Sequence, residues 1–324
     1  EDLYMVKNFA LCCDHNYVTY ARVTMKSIFS SMNPDDEVVV HVLGHGLSDR
    51  DVMSLKKTDS DVRVYDVSSC LAEEFLQVSS NWPAAIWDRI LIPEILPKSV
   101  DRVLYLDCDV VVNDSLDDLF TMSLDSKSVA GCLDTQDYDM EVFHRLGYER
   151  RLRYICTGVL LMNLKYWRTN NLKSQILEYA VGRNLKFPDQ DAINHVCCNS
   201  KIVLSPMYGV LVTYFRNKKF MKEHYKLLPL LLASPQIIHY AGYQPWNYAK
   251  NKSAHGYLWW RYCNNLDGGE LEMYCNYFVS YLKYQIRFVL SKMHFIGRDN
   301  KYSIYQYYYH PRISEQTLKF SKLK

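Results

Sequence analysis

Several signatures of other protein classes are missing from this sequence of 324 residues. No two cysteines have the C-x-x-C spacing of a zinc ribbon or a thioredoxin-like site. No G-x-G-x-x-G follows the first apolar segment, and neither a G-x-S-x-G nor a zincin motif occurs. A dinucleotide-dependent dehydrogenase, a serine hydrolase and a zincin protease are therefore unsupported. No run of about 18 apolar residues is present, so no membrane-spanning helix is predicted.

The N-terminal segment also lacks the basic, apolar and cleavable parts of a signal peptide. The ten cysteines are adjacent or scattered, which favours buried free thiols in a reducing compartment. We therefore expect a cytoplasmic protein. A net charge of +2 argues against a globally basic nucleic-acid-binding protein and against an acidic disordered one.

The order of the apolar segments predicts an α/β fold. Short, mostly β-branched runs alternate with helical patterns such as the one formed by Met25, Ile28, Phe29 and Met32. The predicted strands are Met5 to Cys13, Val38 to Leu43, Val62 to Val67, Val103 to Leu106, Val129 to Leu133 and Thr157 to Leu164. Sheets of this kind are mainly parallel and bind ligands beyond the carboxyl ends of their strands.

Two carboxylates follow the fourth predicted strand within the apolar run 103–112. If the strand continues, its period of two places Asp107 and Asp109 on one side, where they could share one divalent cation. Acidic residues are almost never buried unpaired, which favours a metal as their partner. In the alternative interpretation, Asp109 caps the strand end and Asp107 meets an arginine or lysine.

Three further segments place polar side chains at element ends. Asp14-His15-Asn16 follows the first strand, and Phe187 to Asp191 opens a helix with acidic residues in its first turn. Helix capping explains only part of that second pattern, so Asp189 and Gln190 are site candidates. His239 ends an apolar run before a glycine turn, where an imidazole could complete a carboxylate site for a metal such as Mn²⁺.

Taken in order, these motifs resemble glycosyltransferase family 8, and most closely its bacterial lipopolysaccharide galactosyl- and glucosyltransferases. The resemblance covers roughly the first three quarters of the chain. It rests on Cys13-Asp14-His15-Asn16-Tyr17, Asp107-Cys108-Asp109, residues 158–164, Asp189-Gln190-Asp191, and His239-Tyr240-Ala241-Gly242 with Pro245-Trp246.

The resemblance implies a GT-A fold, a nucleotide-diphospho-sugar transferase fold with a mixed, mainly parallel sheet flanked by helices. It implies retaining transfer of galactose or glucose from a UDP-sugar to a hydroxyl group of a lipopolysaccharide, lipooligosaccharide or other glycan. Asp107, Asp109 and His239 would hold Mn²⁺, with Mg²⁺ as a possible substitute. The donor-binding residues would be Asp14, Asn16, Arg89, Asp107, Cys108, Asp134, Cys156, Asp189, Gly242 and Gln244.

Two positions depart from the family pattern. Cys156 stands where the bacterial galactosyltransferases carry an asparagine that touches the donor sugar, and Gln244 stands where a lysine usually reaches the diphosphate. These departures keep open a catalytically impaired sugar-nucleotide-binding protein. A strand ending in Asp-x-Asp also opens the haloacid-dehalogenase-like phosphatases, which keeps open a phosphatase that uses Asp107-Cys108-Asp109.

The catalytic candidates are Gln190, on the reacting face of the anomeric carbon by resemblance, and Asp189. We favour front-face attack by the acceptor hydroxyl, with the departing phosphate oxygen as base and Gln190 stabilising positive charge. A covalent intermediate on Asp189 is the competing mechanism, by analogy with retaining glycosidases.

The last part of the chain differs in character from the rest. After Met273 there are nine basic and two acidic residues, interleaved with many aromatic side chains. We predict a catalytic domain over 1–265 and a basic, aromatic, helical extension over 266–324 that binds an anionic membrane surface. The protein would then be peripheral on the inner face of the cytoplasmic membrane. Single-stranded nucleic acid is the alternative ligand and is not expected, and a solvated helix packed on the catalytic domain is the third possibility.

Overall fold

A seven-stranded sheet forms the centre of the computed structural model, which describes residues 6–70, 84–246, 255–263 and 266. Within these residues the strands are β1 (Lys7–Asp14), β2 (Val38–His45), β3 (Val62–Asp66), β4 (Arg102–Leu106), β5 (Val110–Val112), β6 (Val129–Leu133), β7 (Ile155–Asn163), β8 (Lys201–Val203), β9 (Val210–Leu211) and β10 (Ile237–His239). Of the predicted extension over 266–324, only residue 266 is among the described residues. The start of the first predicted strand also lies outside them.

The central sheet has the strand order β3-β2-β1-β4-β7-β6-β8. Four of its six neighbouring pairs are parallel, and β7 runs antiparallel to both of its neighbours. A second sheet has the order β5-β10-β9. Because β1, β2 and β4 are parallel, they end at one edge, where the antiparallel β7 begins beside the end of β4.

Helices cover both faces of the central sheet, as expected for buried parallel strands. They are α1 (Val18–Ser31), α2 (Asp49–Lys56), α3 (Ile92–Ile95), α4 (Asp117–Thr121), α5 (Met140–Leu146), α6 (Leu164–Thr169), α7 (Leu172–Ala180), α8 (Pro188–Val196), α9 (Lys218–Glu223), α10 (Leu228–Ala233) and α11 (Gly256–Cys263). The apolar pattern of Leu172, Ile176 and Ala180 is confirmed as the buried face of α7.

The predicted strands are confirmed, with end shifts of one or two residues where their ends are described. Two large apolar clusters pack on opposite faces of the sheet, one containing Phe9 and Leu104, the other Ala10 and Val103. The nine cysteines that the structure describes are free thiols; six are buried, as predicted, but Cys12 and Cys198 are half-buried and Cys70 is exposed. Among the helices in the described ranges, none is long and apolar enough to cross a membrane.

Candidate active site

Two carboxylates and one imidazole meet at the carboxyl edge of the central sheet. Asp107 and Asp109 lie in the turn between β4 and β5, and His239 is the last residue of β10. Because β5 pairs with β10 with Val110 opposite His239, the imidazole is brought beside Asp109. Nε2 of His239 lies 3.1 Å from Oδ1 of Asp109 and 3.6 Å from Oδ2 of Asp107.

This geometry corrects one step of the sequence argument. The run 103–112 is not one strand, because β4 ends at Leu106 and β5 begins at Val110 in the other sheet. Asp107 and Asp109 therefore converge because they flank a turn, and strand alternation plays no part. The turn is fixed by backbone hydrogen bonds from Asp107 N to Gly158 O at 2.8 Å and from Tyr240 N to Asp109 O at 2.9 Å.

The donor set of the three residues fits a small divalent cation. One ligand atom from each of Asp107, Asp109 and His239 lies within 4.8 Å of the other two. Carboxylate oxygens with one imidazole nitrogen suit Mn²⁺ and leave positions for ligands from a substrate. Burial lowers the pKa of His239. The Asp109 carboxylate raises this pKa by more than burial lowers it, so the pKa lies well above its ordinary value. A protonated imidazole and a bound cation therefore compete for the same carboxylates.

Gly158, at the centre of β7, makes room for this cluster. A Cβ atom at position 158 would lie 2.2 Å from Cε1 and 2.7 Å from Nε2 of His239, and 2.5 Å from Oδ2 of Asp107. Real Cβ atoms essentially never approach other atoms this closely. The motif that contains Gly158 thus has a steric reason for glycine at this point.

Arg89 joins the metal candidates to the predicted catalytic residues. Its guanidinium lies 3.0 Å from Oδ1 of Asp107 and 3.2 Å from Oδ2 of Asp189. It also donates to the carbonyl of Thr157 at 2.9 Å and lies over the Tyr105 ring, 4.7 Å from its centroid. Burial lowers the pKa of Arg89, but Asp107 and Asp189 raise it well above its ordinary value, so the positive charge is permanent. The alternative in which Asp107 meets an arginine is therefore also realised, beside the acidic cluster.

Gln190 is held by hydrogen bonds at both ends of its amide. Its Oε1 accepts from Thr157 N at 3.1 Å, and its Nε2 donates to Oδ2 of Asp134 at 3.3 Å and to the Tyr154 hydroxyl at 3.1 Å. Burial raises the pKa of Asp134 despite the hydrogen bonds that it accepts from Gln136 and Gln190. Three residues from separate elements thus fix one amide at the edge of the sheet.

The two acidic residues of the Asp189-Gln190-Asp191 motif differ in role. Asp189 is buried, and burial raises its pKa although Arg89 opposes the shift. Asp191 is fully buried, forms an ion pair with Arg145 and accepts a hydrogen bond from the Tyr154 hydroxyl at 2.7 Å. Asp191 therefore stabilises the start of α8, whereas Asp189 pairs with Arg89 and Gln190 contacts Thr157 and Asp134.

The remaining predicted donor residues have more varied surroundings. Asp14 ends β1 and accepts from Asn16 N at 2.9 Å, so its carboxylate orders the exposed turn that follows. Cys108 is buried, and its carbonyl accepts from the Thr24 hydroxyl at 3.0 Å. Cys156 is buried, with Sγ 3.5 Å from Nδ1 of His239.

Gly242 and Gln244 lie in the segment after β10, where Gly242 has a φ of +71° that favours glycine. Within the described part of the chain, no hydrogen bond or ion pair joins either residue to the acidic cluster. Sequence reasoning missed Tyr105, whose hydroxyl donates to Asp107 at 2.5 Å, and Tyr154, which reaches both Gln190 and Asp191. For Tyr105 the available signal was its spacing of two from Asp107 along an apolar strand.

Tyr17 is a further residue whose role the sequence alone left open. It lies one residue after Asn16 and is 40% exposed. Burial of its other face raises the pKa of Tyr17, and the Asp109 carboxylate adds to the shift. Its ring packs edge-on against Tyr20, with the ring centroids 5.3 Å apart.

The mixed central sheet with helices on both faces is that of the GT-A fold. Solved structures of the galactosyltransferase LgtC share this fold. One is in complex with donor and acceptor sugar analogs, with a TM-score of 0.68, 24% identity and coverage of 80% of this chain and 96% of that one. Another is an active-site mutant of LgtC, with a TM-score of 0.70, 22% identity and the same coverage.

The sequence profile of glycosyl transferase family 8 matches residues 8–250, and the chain belongs to that family. A lipopolysaccharide 1,2-glucosyltransferase of Escherichia coli (strain K12) is 25% identical over 247 residues, which are 74% of this chain and 72% of that protein. General stress protein A of Bacillus subtilis (strain 168) is 23% identical over 257 residues, 75% of this chain and 88% of that protein. The resemblance drawn from the five motifs is confirmed, and the phosphatase alternative loses its support.

Proposed function

We propose that the chain is a retaining hexosyltransferase that moves galactose or glucose from a UDP-sugar to a hydroxyl group of a lipopolysaccharide, lipooligosaccharide or other glycan. The cofactor would be Mn²⁺, with Mg²⁺ as a substitute. The observation that carries this proposal is the convergence of Asp107, Asp109 and His239 beside Arg89 and Gln190 at one edge of the sheet. Similarity to a lipopolysaccharide glucosyltransferase and to the structure of a galactosyltransferase supports the hexose and the acceptor class.

The donor would lie across the carboxyl ends of β1 and β4. Asp14 and Asn16 would contact the uracil and ribose, and the exposed ring of Tyr17 offers a surface on which the base can stack. Cys108 would pack near the ribose through its backbone. Gly242 and Gln244 would lie beside the diphosphate, and the sugar would reach Asp134, Cys156, Asp189 and Arg89. Gln244 supplies no positive charge there, so the other residues must balance the diphosphate.

When bound, a divalent cation held by Asp107, Asp109 and His239 would neutralise the charge that grows on the leaving UDP. The protein residues would fix the geometry around it. Arg89 holds Asp107 in place through the 3.0 Å ion pair and extends the positive field toward Asp189. Tyr105 donates a second hydrogen bond to the same carboxylate, so the Asp107 side chain is restrained before the donor arrives.

The chain's own residues favour front-face attack by the acceptor hydroxyl, with the departing phosphate oxygen as the base. Gln190 would stabilise positive charge at the anomeric carbon with its carbonyl oxygen, and three hydrogen bonds hold its amide in one orientation. An Asp189 nucleophile is less favoured because its carboxylate is paired with Arg89 at 3.2 Å. Detection of a glycosylated Asp189 peptide by mass spectrometry after rapid quenching would overturn this preference.

UDP release from a panel of UDP-sugars, measured with Mn²⁺ and again with EDTA, tests the proposal. We expect turnover of UDP-galactose or UDP-glucose that EDTA abolishes and that Asp109→Asn lacks. Asp118→Asn is the matched control, because Asp118 is an exposed aspartate on α4, and it should keep wild-type turnover. If the chain binds the donor but neither transfers the sugar nor slowly hydrolyses the donor, even with glycan acceptors present, it is an impaired sugar-nucleotide-binding protein. Hydrolysis of simple phosphate esters would restore the phosphatase alternative.

We further propose that the basic, aromatic segment over 266–324 binds an anionic membrane surface, so that the enzyme is peripheral on the inner face of the cytoplasmic membrane. Each lysine or arginine near an anionic leaflet contributes about 1 kcal/mol. Sedimentation of the full chain with anionic and with zwitterionic liposomes tests this. We expect binding to the anionic vesicles alone, with loss of binding in a chain that ends at Asn265. Equal sedimentation of the two chains would contradict the proposal.

A further inference from the structure

Three atoms of the His239 imidazole ring lie close to other residues that the structure describes. Nε2 faces Asp109 and Asp107, Cε1 lies against the position that a Cβ of Gly158 would occupy, and Nδ1 lies 3.5 Å from Sγ of Cys156. Cys156 and Gly158 are two residues apart on β7, so both face the same side of the strand. One strand thus makes room for the ring and contacts its far nitrogen.

The contact between Cys156 and His239 is dry. Cys156 is 7% exposed and His239 is 4% exposed. The sulfur packs in an apolar cluster with residues of the β9 region, including Val210, Leu211 and Tyr214. Because water has little access to this cluster, Sγ is the hydrogen-bond partner that the structure offers to Nδ1.

A neutral imidazole carries one N–H, and the hydrogen bond at one nitrogen decides which tautomer is present. Metal-binding histidines almost always donate their other N–H to a nearby acceptor, which fixes the ring and raises the basicity of the ligating nitrogen. If Nδ1 of His239 donates to Sγ of Cys156, the lone pair of Nε2 points toward the carboxylates. In the opposite tautomer, Nε2 would carry the proton and could not ligate a cation.

We propose that Cys156 is a positioning residue for the metal site, whose sulfur accepts the Nδ1–H of His239 and leaves Nε2 free to bind the cation. This rests on the proposed metal-dependent function and deepens it. It gives Cys156 a role apart from the proposed contact with the donor sugar. Sulfur is a weaker acceptor than oxygen, so the site would hold its imidazole by packing and by this one hydrogen bond together.

Binding of Mn²⁺ to the full chain, followed by the electron paramagnetic resonance signal of free Mn²⁺, tests the proposal without donor or turnover. Cys156→Ala removes the acceptor, and it should weaken Mn²⁺ binding by about 10- to 100-fold. Cys156→Ser is nearly the same size as Cys156→Ala but keeps an acceptor, so it should recover most of the affinity. Cys132→Ala is the matched control, because Cys132 is a buried thiol on the neighbouring β6 that bonds Ser205 O at 3.2 Å. It should bind as wild type does.

Two results would overturn the proposal while leaving metal binding intact. One is wild-type affinity in Cys156→Ala. The other is equal loss in Cys156→Ala and Cys156→Ser, because the lost packing alone would then explain both. If the wild-type chain binds no Mn²⁺, the proposed metal site fails and this inference fails with it. Should Cys156→Ala not fold, the tautomer can be read from the full chain with ¹⁵N-labelled histidine and Mg²⁺. A proton on Nδ1 of His239 supports the proposal, and a proton on Nε2 overturns it.

Discussion

Replacement of Gly158 by alanine is the smallest change that should disrupt the site. The added methyl group would lie 2.2 Å from Cε1 of His239 and 2.5 Å from Oδ2 of Asp107. Ordinary van der Waals contact begins at 3.4 Å, so the imidazole must move by about 1.2 Å, or β7 must shift. Neither side chain can move freely. Asp107 is held by Arg89 and Tyr105, and His239 is held beside Asp109.

The change should reduce activity while the protein remains folded. A misplacement of about 1 Å can cost about 100-fold in rate, and we expect Gly158→Ala to lose about that much in Mn²⁺-dependent UDP release. Overpacking a core typically costs about 1–3 kcal/mol, so the variant should still fold. Gly131→Ala is the matched control on the adjacent β6, where the nearest atom to an added Cβ is Leu160 Cδ2 at 3.0 Å.

Melting temperatures and steady-state rates of the two variants should therefore separate. Both proteins should melt a few degrees below wild type, but only Gly158→Ala should lose turnover and need more Mn²⁺ for half-maximal rate. If Gly158→Ala retains the rate and metal requirement of Gly131→Ala, the close approach of His239 to β7 is not a condition of activity. The geometric account of the site would then be wrong.

Two further predictions concern the buried residues Arg89 and Asp88. Arg89→Lys keeps the positive charge but loses the planar guanidinium that reaches both Asp107 and Asp189. A lost hydrogen bond to a charged group costs about 1.5–3 kcal/mol. The rate of UDP release should therefore fall about 10- to 100-fold. Burial raises the pKa of Asp88 from 3.8 to about 7 although His45 lies 3.2 Å away. Because the folded-state pKa is the higher one, stability contributed by Asp88 is lost as the pH rises from about 4 to about 7. The melting temperature of Asp88→Asn relative to wild type should therefore rise over that interval, and a constant difference would contradict the assignment.

The strands and the site motifs could be predicted because each is encoded locally. Runs such as Val38 to Leu43 are mostly β-branched, with His41 as the one polar residue, and their structure follows from burial on both faces of a parallel sheet. Asp107, Asp109 and His239 could be named because each lies at the end of such a run. The ordered motifs then gave the family, which the match over residues 8–250 confirms.

What could not be predicted depends on contacts between distant segments. The run 103–112 contains no glycine or proline, yet the chain changes sheets after Leu106 because β5 pairs with β10, more than a hundred residues further on. The reach of Arg89 to both Asp107 and Asp189 depends on the packing of three separate elements. The contact of Cys156 with His239 likewise exists only once β7 and β10 are in place.

The central claim is that Asp107, Asp109 and His239 hold the divalent cation of a nucleotide-sugar transferase. Crystals of the full chain grown with Mn²⁺ and UDP, measured near the manganese absorption edge, would locate the ion by anomalous scattering. We predict the strongest anomalous peak within bonding distance of Asp109 and Nε2 of His239, beside Asp107 and in contact with the diphosphate. A peak elsewhere, or UDP bound with no peak between these three residues, would contradict the account.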